Sequence, residues 1–147
     1  MAQIISATTK FIDRSNRAGR SGKYQCFLRK AESLLDLARA AAAEDRLTDA
    51  VELAYQAGLR GAGAWVAATP VGKRKRLPTS AWEQVELISA DAKEWAMEFR
   101  RYSRLRSRLV TGLDDAVKPA VAFELIELSA RFIATVRGEG DVDLNAA

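Results

Sequence analysis

The chain has 147 residues, 48% of them hydrophobic and 29% charged, with 9 Gly and 3 Pro. That composition fits one folded domain and excludes a disordered or fibrous chain. There is no histidine and a single cysteine, Cys26, which excludes histidine acid–base chemistry, Ser–His or Cys–His nucleophiles, internal disulfides and Cys/His zinc clusters. The net charge is +4, no apolar run is long enough for a membrane span, and the first residues lack a secretory hydrophobic region, so a cytoplasmic protein without membrane contact is expected.

Residues 1–22 show no sustained apolar period and read as a flexible basic arm. Lys10, Arg14, Arg17, Arg20 and the adjacent Lys23 face only Asp13, although Ile4, Ile5, Phe11 and Ile12 offer apolar contacts. Helical spacing begins at Tyr24, with Phe27, Ala31, Leu34, Leu35, Ala38 and Ala42 on one stripe. Cys26, early in this helix beside Phe27, is expected to be a buried, inert thiol. Asp45-Arg46 ends the helix and Thr48 suits the next N-cap.

The second helix carries Val51, Ala54, Tyr55, Leu59, Ala62, Trp65 and Val66, with Pro70 just beyond its end. Gly58, Gly61 and Gly63 weaken it by up to about 1 kcal/mol each relative to alanine, which implies close approach of a neighbouring helix. A loop over residues 69–79 follows. Ser80-Ala81-Trp82-Glu83 then reads as a capping box. The third helix is expected to be the longest, with Trp82, Val85, Ile88, Ala92, Trp95, Phe99 and Tyr102 on one face for about six turns. Gly112 closes it, and Asp114 or Asp115 opens the fourth, which begins near Val117 because Pro119 is tolerated only in a first turn. Val121, Leu125, Leu128, Phe132 and Val136 form its stripe; Gly138 and Gly140 are expected to stop it before an acidic tail, residues 138–147, carrying Glu139, Asp141 and Asp143. No strand alternation or repeat appears. The expected fold is all-α, an up-and-down four-helix bundle over residues 23–137.

The densest charge feature is Arg100, Arg101, Arg104, Arg106 and Arg108, five arginines within nine residues, interleaved with Tyr102, Ser103 and Ser107. Such a surface suits phosphate through bidentate forks and hydroxyl donors. It also suits a helix C-terminus, where cations complement the macrodipole and keep the surface soluble. Tyr102 is placed to stack on a base or a guanidinium. Trp65, Trp82, Trp95, Phe99 and Phe132 lie on apolar stripes and are expected in the core. Lys73-Arg74-Lys75-Arg76 forms a second basic run between Pro70 and Pro78, a solvated loop or a phosphate contact without base readout. The two runs are expected about 30 Å apart at 1.5 Å per residue. Carboxylate pairs such as Glu124 and Glu127 read as structural, and no cofactor or metal is expected.

The basic proline-flanked loop followed by Ser80-Ala81-Trp82, then Glu94-Trp95-Ala96-Met97-Glu98-Phe99, resembles an actinobacterial branch of the HEPN superfamily. The small-residue segment Gly61-Ala62-Gly63-Ala64-Trp65-Val66-Ala67-Ala68 and the closing Arg131-Phe132-Ile133-Ala134-Thr135-Val136 agree, so the similarity covers residues 30–137. The resemblance implies a compact helical bundle, often a homodimer, that binds or cleaves RNA or nucleotides. Catalytic members carry an arginine followed by a histidine on the last helix. Here Arg131 is followed by Arg137 at the position of that histidine, and arginine does not exchange protons near neutral pH. The expectation is therefore a non-catalytic domain binding the backbone of RNA or DNA through these cations. The alternatives are a module docking an acidic protein partner and, last, a degenerate ribonuclease toxin built around Arg131.

Overall fold

The computed structural model describes residues 2–112 and 117–146, with side chains described from Gly22 to Asp141 except at residues 113–116. Among the described residues there are helices and turns and no strand. Five helices follow one another: α1 (Ala2–Ala43), α2 (Leu47–Ala68), α3 (Ala81–Glu86), α4 (Ala90–Val110) and α5 (Pro119–Ala146), with a short 3-10 turn at Pro70–Lys73. The expected opening of the last helix at Asp114 or Asp115 lies outside the described residues.

Both ends differ from the sequence expectation. The backbone of α1 is helical from Ala2 onward, through the segment read as an irregular arm. That of α5 continues through Gly138 and Gly140 to Ala146, where a helix stop and tail were expected. Glycine costs a helix only about 1 kcal/mol, and at Gly140 packing makes glycine necessary. A Cβ there would stand 2.5 Å from the Tyr24 ring. Tyr24 is fully buried, and its hydroxyl donates to the carbonyls of Arg137 at 3.2 Å and Val136 at 3.4 Å. The burial of Tyr24 thus depends on the missing side chain at Gly140.

The α1–α2 connection is a Schellman-type cap. Asp45 adopts φ 60°, Asp45 N–H donates to Ala42 and Arg46 N–H donates to Ala41 at 2.9 Å. Arg46 rather than Thr48 occupies the N-cap of α2 and binds Glu44 and Asp49 with its guanidinium.

The expected long third helix is broken. Leu87 and Ile88 close α3 with N–H donations to Gln84 and Val85, and Ser89 turns extended at φ −167° and ψ 171° before α4 begins. Ser89 Oγ accepts the Ala92 N–H at 3.0 Å, an N-cap inside what the apolar period reads as one helix. The capping box at Ser80 does not form; Ser80 makes no side-chain cap, and Gln84 Nε2 instead donates to the Pro78 carbonyl at 2.7 Å.

The core is aromatic. Trp82 stacks on Phe99 at 4.4 Å, and Phe132 sits within 6 Å of Trp65, Trp82, Trp95 and Phe99. The glycines of α2 make room for these rings rather than for a helix backbone. A Cβ at Gly58 would lie 2.4 Å from Phe99, and one at Gly61 3.2 Å from Phe132. Trp82 Nε1 donates to Tyr55 Oη at 2.9 Å and Ser129 Oγ donates to the Ala54 carbonyl at 2.8 Å, and no buried side-chain polar atom among the described residues lacks a partner. Cys26, expected inside, is exposed, because the buried face of α1 is set by Tyr24, Leu28 and Ala31 and leaves position 26 outward.

Candidate nucleic-acid interface

Register along α2 places the arginine-rich end of α4. Gly58 meets Phe99 and Glu52 meets Arg106, so α4 runs opposite to α2 and its last turns lie beside the start of α2. The five arginines do not act as one field. Arg106 forks onto Glu52 at 2.7 and 2.9 Å and covers the Tyr55 ring at 5.0 Å. The guanidinium holds the Glu52 carboxyl below its ordinary range, and Glu52 in turn pushes Arg106 up. Arg100 pairs with Glu86 at 2.9 Å and Arg101 with Glu98 at 3.6 Å. Arg104 and Arg108 are exposed on the outer face of the same helix. Arg100, Arg101 and Arg106 are therefore already answered by carboxylates from α3, α4 and α2.

Tyr102 is half-buried on the side of α4 that faces α5. Burial, then the charges of Glu124 and Glu98, raise its hydroxyl above the ordinary value. Arg101 and Arg131 oppose that shift, and Arg131 lines the same hollow as Tyr102.

The loop run is different. Lys73, Arg74, Lys75 and Arg76 are all exposed, and no carboxylate among the described residues pairs with them. The loop is anchored on its N-terminal flank. Val71 is buried, the Thr69 N–H and hydroxyl both donate to the Val66 carbonyl, and a Cβ on Gly72 would stand 2.7 Å from that same oxygen. Only glycine lets the turn close this tightly over the end of α2. The cations follow the C-terminal end of α2, which lies about 24 Å along the axis from Glu52 at 1.5 Å per residue, so the loop and the arginines of α4 remain separate patches.

Arg131 and Arg137 are on α5. Arg131 lines a cleft between α4 and α5, while Arg137 hydrogen-bonds Glu32 of α1. The guanidinium at the position expected for a catalytic histidine is thus tied into a helix–helix contact. Among the described residues no group of His, Cys, Asp or Glu could hold a metal ion, and no helix is long and apolar enough to cross a membrane.

The sequence reading overlooked the cleft itself. It measures about 750 Å³ and is lined by Trp65, Trp95, Met97, Leu128 and charged residues of both helices. A shallower hollow beside Tyr102 and Phe123 shares Glu98, Leu128 and Arg131 with it. The carboxylates Asp91, Glu94 and Glu98 already show helical spacing in the sequence, but only folding brings them opposite Glu124, Glu127 and Glu139.

These features define a class: an all-α domain with an aromatic core, an exposed cationic loop and a charged cleft between its last two long helices. Residues 38–137 match the SAV_6107-like HEPN family, and the chain belongs to that family. No curated protein and no solved structure matches the chain.

Proposed function

We propose that this HEPN domain is a non-catalytic binder of nucleic-acid backbones, with the Lys73–Arg76 loop as its principal contact. The observation that carries this reading is the loop itself: four consecutive exposed cations, held on a proline-bounded turn, with no carboxylate of the described residues to neutralise them. Phosphate contacts of this kind position a nucleic acid without reading its sequence, and their strength comes from counterion release. Arg104, exposed on α4, supplies a secondary contact. Arg100, Arg101 and Arg106 contribute less, because a phosphate must first compete with Glu86, Glu98 and Glu52 for them.

The same chemistry argues against hydrolysis. Attack by a ribose 2′-hydroxyl needs a group that takes and returns a proton. An arginine side chain does not exchange protons near neutral pH, and Arg137 is engaged by Glu32. Arg131 is likewise a fixed cation, suited to hold a phosphate and not to move a proton.

The test is an anisotropy titration of nuclease-treated protein with labelled single- and double-stranded RNA and DNA. With Lys73, Arg74, Lys75 and Arg76 all changed to Ala, the slope of log affinity against log salt should fall by roughly 3, at about 0.7–0.9 per phosphate contact. A variant with Arg100, Arg101 and Arg106 changed to Ala should lose far less. Equal losses would move the site to α4. Absence of binding to all four probes at low salt would reject the reading and direct the search to an acidic protein partner. RNA cleavage on prolonged incubation would overturn the non-catalytic part.

A further inference from the structure

We infer that the cleft between α4 and α5 is the docking site for residues 2–21 of a second copy of this chain. The inference goes beyond the nucleic-acid reading and does not depend on it.

The cleft and its adjoining hollow form one groove, since Glu98, Leu128 and Arg131 line both. Its floor is apolar, with Trp95 and Leu128, and two large apolar side chains stand exposed at it, Met97 (54%) and Phe123 (56%). Its walls carry Asp91, Glu94, Glu98, Glu124, Glu127 and Glu139 against Arg101 and Arg131. Among the described residues only Glu98 of these carboxylates pairs with a cation, Arg101. An exposed apolar floor between acidic walls calls for an apolar, basic occupant.

The chain supplies such a segment. α1 has 42 residues and the partner helix α2 has 22, so about 20 residues run past that pairing. The segment's sequence carries the apolar residues Ile4, Ile5, Phe11 and Ile12, spaced by one and seven, and the cations Lys10, Arg14, Arg17 and Arg20 against Asp13. The lengths agree. Residues 2–21 span about 30 Å as a helix, and the groove from Ala120 to Glu139 along α5 spans about 29 Å, both at 1.5 Å per residue. Because α1 is one unbroken helix from Ala2 to Ala43, the segment cannot fold back onto its own groove without breaking that helix. A second copy can present it without such a break, and a two-fold axis lets both copies do so reciprocally.

The experiment is a charge swap read by sedimentation equilibrium on the full chain. One variant changes Glu94→Lys and Glu127→Lys; a second changes Arg14→Glu and Arg17→Glu; a third carries all four. Glu94 and Glu127 are exposed, and helicity by circular dichroism controls for folding. The wild type should dimerise, more tightly at about 50 than at 200 mM salt. Each two-site variant should weaken the dimer about tenfold or more, and the four-site variant should recover it, since its reversed charges again complement one another. A wild type that is monomeric at every concentration overturns the inference. So does a dimer indifferent to either swap, or one that the four-site variant fails to restore.

Discussion

At Gly58 the absent side chain is what lets Phe99 enter the core: a Cβ would come within 2.4 Å of its ring. Gly58→Ala would gain up to about 1 kcal/mol of helix propensity, but overpacking a filled core costs about 1–3 kcal/mol, and the ring it would displace is itself stacked on Trp82. The net expectation is destabilisation by about 1–2 kcal/mol, seen as a lower urea midpoint with an unchanged slope. Gly138 is the counterpart on α5, with nothing within 4 Å of its missing Cβ. Gly138→Ala should therefore stabilise by about 0.5–1 kcal/mol. If both substitutions moved the midpoint the same way, steric occupancy would not be what separates the two sites. The sequence shows glycines at both positions and cannot tell them apart, because what differs is a ring brought in from a distant helix.

Among the elements, the break between α3 and α4 shows how far periodicity reaches. Val85, Ile88, Ala92, Trp95 and Phe99 keep helical spacing straight across it, so the apolar pattern is indifferent to whether the backbone is continuous. The signal that could have found it is local: Ser89 followed by Asp91 is an N-cap with an acidic first turn. The aromatic stripe, the course of α2 and that of α5 as far as Val136 were legible because each buries a face against neighbours at a fixed period. The true cap of α2 and the unformed box at Ser80 were not, since both are decided by side-chain competition for a few backbone groups. Ser89→Ala removes the acceptor of the Ala92 N–H and should cost about 1 kcal/mol. Faster amide exchange confined to the first turn of α4 would locate that cost; exchange accelerated evenly over the domain would mean that Ser89 does not cap this helix.

Across the whole molecule, the cationic residues were legible but their partners were not. Arg100, Arg101 and Arg106 look like one patch in the sequence, and folding hands them to Glu86, Glu98 and Glu52. A carboxylate 54 positions away from Arg106 leaves no mark on the local pattern. The same holds for Tyr24, which ties α1 to α5 over 113 positions through its hydroxyl. Burial, with the nearby Asp141 carboxylate adding to it, pushes the Tyr24 hydroxyl well above its ordinary value near 10. A raised folded-state value means that the contribution is complete below pH 10 and is lost as pH climbs toward the folded value, because the unfolded chain releases a proton the folded chain retains. Tyr24→Phe removes both the hydrogen bonds and the titration. At pH 7 the variant should be less stable by about 1 kcal/mol, the usual worth of such a bond. Above pH 10 wild type should lose stability faster than the variant, so the gap narrows and then reverses. Urea midpoints of the two proteins measured from pH 7 to about 11 would show the crossing. Parallel curves over that range would mean that Tyr24 titrates alike in the folded and unfolded chain, and that burial against α5 does not set its protonation.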